Sequence, residues 1–206
     1  MDPQETGKVT VHKRRKLLAI IAAVCILLVG AFIAWLCIDF HPHKSLEEMG
    51  AVTFPVEGES GIAGNQPGHP FTFCLEGDMP LQWNIKTNSG VFLYVDRNPI
   101  TNGKIVKELD QTFTLSNGEI VFWSQYSNGY STLAVDRKDR IYIEAILYAE
   151  SHIVGYCVIE LHVIDYGGSN SAKVLDSAYY PPQNGEYQNI TMGHIRKQIL
   201  KAKIFG

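Results

Sequence analysis

The feature that most constrains this chain is a run of 22 residues, 17–38, that contains no charged side chain. An α-helix rises about 1.5 Å per residue, so the run spans about 33 Å, which matches a hydrocarbon core of about 30 Å. A core helix of a soluble protein would show a polar face, and this run shows none. We therefore predict a transmembrane helix over 17–38, with membrane lipid as its partner.

The charges that flank this run predict its orientation. Four consecutive basic residues, 13–16, directly precede it, whereas Asp39 directly follows it. The positive-inside rule then makes 1–16 a basic cytoplasmic tail and places the rest of the chain outside the cytoplasm. The alternative is a cleaved signal peptide, whose apolar core is about 7–15 residues long and ends in a small-x-small site. Because this run is longer and ends in Trp-Leu-Cys at 35–37, we predict an uncleaved signal anchor and a single-pass cell-membrane protein.

The charge of the remaining chain divides into two parts. Residues 39–193 carry nine basic and nineteen acidic side chains, a net charge of −10, and residues 194–206 carry four basic side chains and no acidic one. An acidic domain repels a phosphate backbone, so the sequence argues against a nucleic-acid partner. The basic C-terminal segment is attracted either to an anionic membrane surface or to the acidic domain, and the sequence does not choose between them.

Residues 39–70 are rich in glycine, proline and polar side chains. The last thirteen of them, 58–70, include four glycines and two prolines. A segment of this composition buries little apolar surface on its own. We therefore expect a flexible stalk over 39–70 that separates the membrane from the next segment.

Residues 71–166 consist of short β-branched and aromatic runs that are separated by turn signals every 8–12 residues. This spacing predicts seven to nine antiparallel strands in a β-sandwich, either immunoglobulin-like or jelly-roll-like. The clearest hairpin signal is Asn117-Gly118, which lies between the apolar runs 112–115 and 120–123.

Residues 167–206 are expected to form a loop and then a short basic helix over 191–205. Thr191 is the predicted N-cap, because its hydroxyl can accept a hydrogen bond from the first turn. The spacing of apolar residues predicts one buried face. This apolar stripe consists of Ile195, Ile199, Ala202 and Phe205.

Two cysteines, Cys74 and Cys157, lie beyond the predicted span. Their order around Trp83 resembles that of the immunoglobulin core, in which a disulfide joins the two sheets beside a buried tryptophan. Strand phase argues against such a bond, because Cys74 alternates with apolar neighbours that face the core, whereas Cys157 falls on the inward face of its own strand. The sequence alone does not decide between a disulfide and two separate thiols.

The segment 123–130 combines aromatic residues with serine, asparagine and glycine. This mixture is typical of contact loops, because aromatic rings give rigid contact area and small polar groups give adaptable hydrogen bonds. We predict a loop of Trp123, Tyr126 and Tyr130 that binds a protein or glycan partner. The alternative is that Trp123 closes the core and the others form a solvated turn.

The sequence contains no G-x-S-x-G, S-x-x-K or H-E-x-x-H motif, so we predict no catalytic residue, cofactor or metal. Glu160 and His162 share one face of a predicted strand, which favours a solvent-facing pair over a catalytic dyad. Basic residues interleave Asp136 and Asp139, which favours a charged turn over a calcium site.

Architecture therefore favours a non-enzymatic, membrane-tethered extracytoplasmic binding or assembly module. One alternative is a membrane-anchored envelope or glycan hydrolase whose carboxylates meet only in the fold. The other is an accessory subunit of a larger membrane complex. Asn189 begins an N-glycosylation sequon, which matters only in a eukaryotic secretory pathway.

Overall fold

The first part of the chain is a long helix, α1, at Pro3–Cys37. Its stretch Arg14–Cys37 is long and apolar enough to cross a membrane, and most of its side chains are exposed. The predicted N-terminal apolar helix is confirmed as a candidate membrane span, and the helix extends back into the basic tail. A computed structural model describes residues 3–39, 41, 43–46, 52–53, 61–63, 66–76, 80–97, 104–127, 132–133, 140–162 and 171–206.

The chain divides into two compact units, Met1–Phe40 and His41–Gly206. The second unit is built mostly of β-strands and has one described helix, α2, at Met192–Phe205. Its described strands are β1 Val52–Thr53, β2 Gly61–Ala63, β3 Gln66–Phe73, β4 Leu81–Thr87, β5 Val91–Arg97, β6 Lys104–Leu109, β7 Thr112–Ser116, β8 Ile120–Ser124, β9 Tyr126–Ser127, β10 Thr132–Leu133, β11 Ile141–Ala149, β12 His152–His162 and β13 Ser171–Tyr179.

The strands form two antiparallel sheets. The first sheet has the order β1-β3-β8-β5-β6, with β2 also paired to β3, and the second sheet has the order β13-β12-β11-β4-β7. The short strands β9 and β10 pair with each other. The predicted mainly β fold with a short C-terminal helix is therefore confirmed.

The main core lies between the two sheets. Side chains of β4 alternate between buried and exposed, so Trp83 and Ile85 face inward whereas Asn84 and Lys86 face outward. Trp83 stacks on Phe73 of the first sheet, with ring centroids 4.7 Å apart. This packing leaves the outer face of the second sheet available for other contacts.

The turn between β7 and β8 joins the two sheets, so the predicted hairpin around Asn117-Gly118 is wrong. β7 pairs with β4, whereas β8 pairs with β3 and β5. Asn117 Oδ1 accepts hydrogen bonds from the Leu75 backbone N–H (3.0 Å) and from Trp83 Nε1 (3.2 Å). Asn117 Nδ2 donates to the Leu75 carbonyl oxygen (2.9 Å). These bonds direct the chain across the core instead of back along β7.

Segment 39–70, expected as a flexible stalk, contributes its described residues to the sheets and the core. Lys44 and Tyr179 exchange backbone hydrogen bonds of 2.8 and 2.6 Å. Leu46 is fully buried in the core between the sheets, and β1 and β2 each pair with β3 in the first sheet. These residues are part of the domain, because long-range pairing satisfies backbone groups that the local composition leaves open.

Helix α2 covers part of the outer face of the second sheet. Thr191 is its N-cap, as predicted, and the Thr191 hydroxyl accepts a hydrogen bond from the His194 backbone N–H (3.2 Å). Ile195 and Ala202 are buried against the sheet, but Phe205 is 57% exposed. The predicted stripe therefore ends at Ala202, since at about 100° per residue Phe205 points about 80° away from Ile195.

Candidate functional site

A cleft of about 240 Å³ opens between α2 and the outer face of the second sheet. The cleft exists because α2 packs mainly over β12 and β13, which leaves the outward side chains of β4, β7 and β11 beside it. Period-two alternation places Lys86 of β4 and Tyr148 of β11 on this outer face, while their neighbours fill the core. On the helix side, Met192, Arg196 and Ile199 recur at positions i, i+4 and i+7, so they share one face.

The lining of the cleft is mixed in character, with an apolar floor and charged groups. Ile146 and Ile199 provide apolar surface, and Tyr148 is half-buried. Lys86 and Arg196 are exposed, and within the described part of the chain neither forms an ion pair. A ligand that joins an apolar group to an anionic group would match this lining.

Glu144 is the one carboxylate among the described residues that line the cleft. Lys203 Nζ contacts Glu144 Oε1 directly and lies 4.8 Å from the centroid of the Tyr142 ring. Lys203 thus pairs with Glu144, while Lys86 and Arg196 line the same cleft of a domain whose net charge is negative. The described residues that line the cleft thus include one carboxylate, whereas glycoside hydrolysis generally uses a pair.

The predicted binding loop does not present Trp123 at the surface. Trp123 is fully buried, and its Nε1 donates a hydrogen bond to the Ser89 carbonyl oxygen (3.0 Å), so this ring closes the core. Tyr126 is half-buried in β9. Tyr130 lies outside the described residues, as do Asp136 and Asp139 of the charged turn.

No disulfide joins Cys74 and Cys157, both of which the structure describes. Cys74 is exposed directly after β3, and Cys157 is fully buried in β12. This difference in burial agrees with the strand phase inferred from the sequence. The two cysteines therefore do not reproduce the inter-sheet disulfide of the immunoglobulin core.

The sequence predicted that Glu160 and His162 both face solvent, but only His162 is exposed. The Glu160 side chain is only 7% exposed, and its Oε1 accepts a hydrogen bond of 2.5 Å from Arg140 Nε. That hydrogen bond raises the pKa of Arg140. His162 Nε2 lies 3.7 Å from Glu160 Oε2 and is mostly exposed. Because Glu160 is committed to Arg140, the geometry is that of a structural ion pair.

A second cluster of rings lies at the first turn of α2. Tyr180 is buried, and its hydroxyl lies 2.9 Å from His194 Nε2. The His41 ring packs edge-on against His194, with centroids 4.6 Å apart, and His43 lies 5.5 Å from Tyr180. Among the described residues, no set of three histidine, cysteine or carboxylate side chains has a geometry that could hold a metal ion. The cluster is therefore an aromatic contact that attaches His41 to α2.

Asn189, the predicted glycosylation site, is exposed in the loop that leads to the Thr191 cap. His69 is a buried histidine of β3, and burial lowers its pKa, which keeps the ring neutral. Neither residue lines the cleft.

The sequence reasoning missed Lys86, Tyr148 and Arg196 as site residues. The alternation along 81–87 and 141–148 indicates that Lys86 and Tyr148 share an outer face. Nothing in the sequence says that Arg196 meets them there, because this depends on where α2 docks. Comparisons of the chain with protein-family models, curated proteins and solved structures find no match.

Proposed function

We propose that this protein is a single-pass membrane protein whose extracytoplasmic domain is a non-enzymatic binding module for an anionic partner. The observation that carries the proposal is the cleft beside α2, in which Lys86 and Arg196 stand over an apolar floor. Hydrogen bonds between such cations and carboxylates are short and strong, and Arg196 offers two parallel donors. The same cleft does not favour the hydrolase alternative, because Glu144 is the single carboxylate among the described residues that line it.

The basic residues 13–16 support an orientation with the N-terminus in the cytoplasm. In intact cells, an epitope tag placed before residue 3 should resist added protease, and a tag placed after residue 206 should be removed. A tag after residue 206 that resists protease while the first tag is lost would reverse the orientation. Release of a domain that begins after residue 38 would show cleavage instead of an anchor.

Charge reversal in the cleft should abolish binding of an acidic probe. We expect the full chain in neutral nanodiscs to bind a hexaglutamate peptide, and Lys86→Glu with Arg196→Glu to weaken that binding by about tenfold or more, because each charge-assisted hydrogen bond is worth about 1.5–3 kcal/mol. Isothermal titration at low and moderate salt measures the affinity, which should fall as salt rises.

The matched control for each single reversal, Lys86→Glu or Arg196→Glu, is Lys173→Glu, which makes the same charge change on β13 of the same sheet but outside the cleft. This variant should keep most of the affinity for the peptide. Equal weakening by Lys173→Glu would mean that net charge alone attracts the peptide, and absence of binding to the wild-type chain would exclude the cleft as a site for carboxylates.

A further inference from the structure

The outward face of α2 carries an apolar ridge that the second sheet does not cover. Leu200 is 40% exposed and Ile204 is 51% exposed, and they lie four residues apart, so the two share one side of the helix. Phe205 adds a third exposed apolar side chain next to Ile204. Beyond residue 38, the described part of the chain has one other exposed large hydrophobic residue, Ile120, so the exposed apolar surface is concentrated on α2.

Positive charge accompanies this ridge. The segment 194–206 contains four basic side chains and no acidic one, whereas residues 39–193 have a net charge of −10. Arg196 is exposed and Lys201 is half-exposed, while Lys203 is turned toward Glu144. An exposed apolar ridge with flanking cations is the pattern of a helix that lies in the interface of an anionic membrane.

Only residues 38–40 separate the end of α1 from His41 along the chain. The His41 ring packs against the ring of His194 in the first turn of α2. The residue that begins the second unit is therefore in contact with the helix that carries the ridge.

We propose that the Leu200, Ile204 and Phe205 ridge of α2 inserts into the surface of an anionic bilayer, with Lys201 contacting lipid headgroups. This inference rests on the membrane span of the proposed function but not on the cleft. The apolar side chains bury in the headgroup and acyl boundary, and the cation adds attraction to anionic lipid.

Depth measurement on the full chain in nanodiscs tests this contact. A nitroxide is attached to Ile204→Cys, and its exposure to oxygen and to a water-soluble nickel chelate is measured. Cys25, Cys37 and Cys74 are replaced by alanine, and the buried Cys157 is retained. The control is the same label on Ser116→Cys, an exposed position of β7. In discs with three parts phosphatidylglycerol to seven of phosphatidylcholine, we expect position 204 to react several-fold less with nickel, and more with oxygen, than position 116.

Lys201→Glu should return the label at 204 to the behaviour of the control, and Lys173→Glu, the same charge change on β13, should not. Far-ultraviolet circular dichroism checks that each labelled variant keeps its fold. Equal nickel exposure of both positions in both lipid compositions would overturn the proposal. If the label at position 204 is protected from both nickel and oxygen, and this protection rises with the number of chains per disc, the proposal is also overturned. That result would identify a second copy of the chain as the partner. A chain that does not enter the discs would contradict the span itself.

Discussion

Replacing Gly90 with alanine is expected to destabilise the domain by about 2–5 kcal/mol, because left-handed backbone costs an L-residue about 1–2 kcal/mol and overpacking commonly adds about 1–3. Gly90 has a φ of +80°, and a Cβ at this position would lie 2.5 Å from two ring carbons of Trp123. The glycine ends the turn between β4 and β5, where the chain passes from the second sheet to the first. The substitution therefore strains a crossing point of the sandwich.

The Trp123 ring cannot move aside at low cost. It is fully buried, and its Nε1 donates to the Ser89 carbonyl oxygen (3.0 Å), which also accepts a hydrogen bond of 2.6 Å from Thr87 Oγ1. A displaced ring would leave a buried indole N–H without its acceptor, which adds a desolvation cost of about 1–3 kcal/mol. The turn and the tryptophan thus hold each other in place.

Urea unfolding of the full chain in detergent micelles, followed by tryptophan fluorescence, measures this effect. Gly185→Ala is the matched control, because Gly185 has a φ of +82° but nothing within 4 Å of the added Cβ, so it should cost only about 1–2 kcal/mol. In a Trp123→Phe background the Gly90→Ala penalty should shrink, since the smaller ring leaves room. Equal losses for Gly90→Ala and Gly185→Ala would show that the contact with Trp123 contributes nothing.

The elements that the sequence predicted correctly are those set by local pattern. The uncharged run predicted the apolar part of α1, and the alternation along 81–87 predicted β4 with Trp83 facing inward. Thr191 predicted the start of α2. In each case one periodicity or one cap decides the structure without reference to distant residues. The same alternation placed Cys74 outside and Cys157 inside.

The elements that it missed depend on contacts between distant residues. Asn117-Gly118 encodes a turn, but the Asn117 side chain bonds to Leu75 and Trp83 and sends β8 to the other sheet. Trp123 is in an aromatic polar segment, yet the first sheet carries it into the core. The cleft requires Arg196 to meet Lys86 from a helix more than 100 residues away, and no local pattern encodes that meeting.

Replacing Leu46 with alanine is expected to destabilise the domain by about 2–5 kcal/mol, the usual range for a leucine truncated in a packed core. Leu46 is fully buried between the sheets, although it lies only nine residues after the end of α1. The rate of proteolysis near Leu46 should change as well, because its burial in the core and the Lys44–Tyr179 backbone pair both attach this segment to the domain. Truncation should open the segment and expose the Lys44 bond to trypsin.

Two variants calibrate the unfolding measurement. Leu75→Ala removes another leucine of the same core and should cost a similar amount, whereas Ile120→Ala removes a side chain that is 56% exposed and should cost less than about 1 kcal/mol. The rate of trypsin cleavage after Lys44 should rise in Leu46→Ala under native conditions and stay low in Ile120→Ala, since cleavage follows the population of the opened segment. If segment 39–70 were a flexible stalk, Leu46→Ala would leave the unfolding free energy unchanged and the wild-type chain would already be cut rapidly at Lys44.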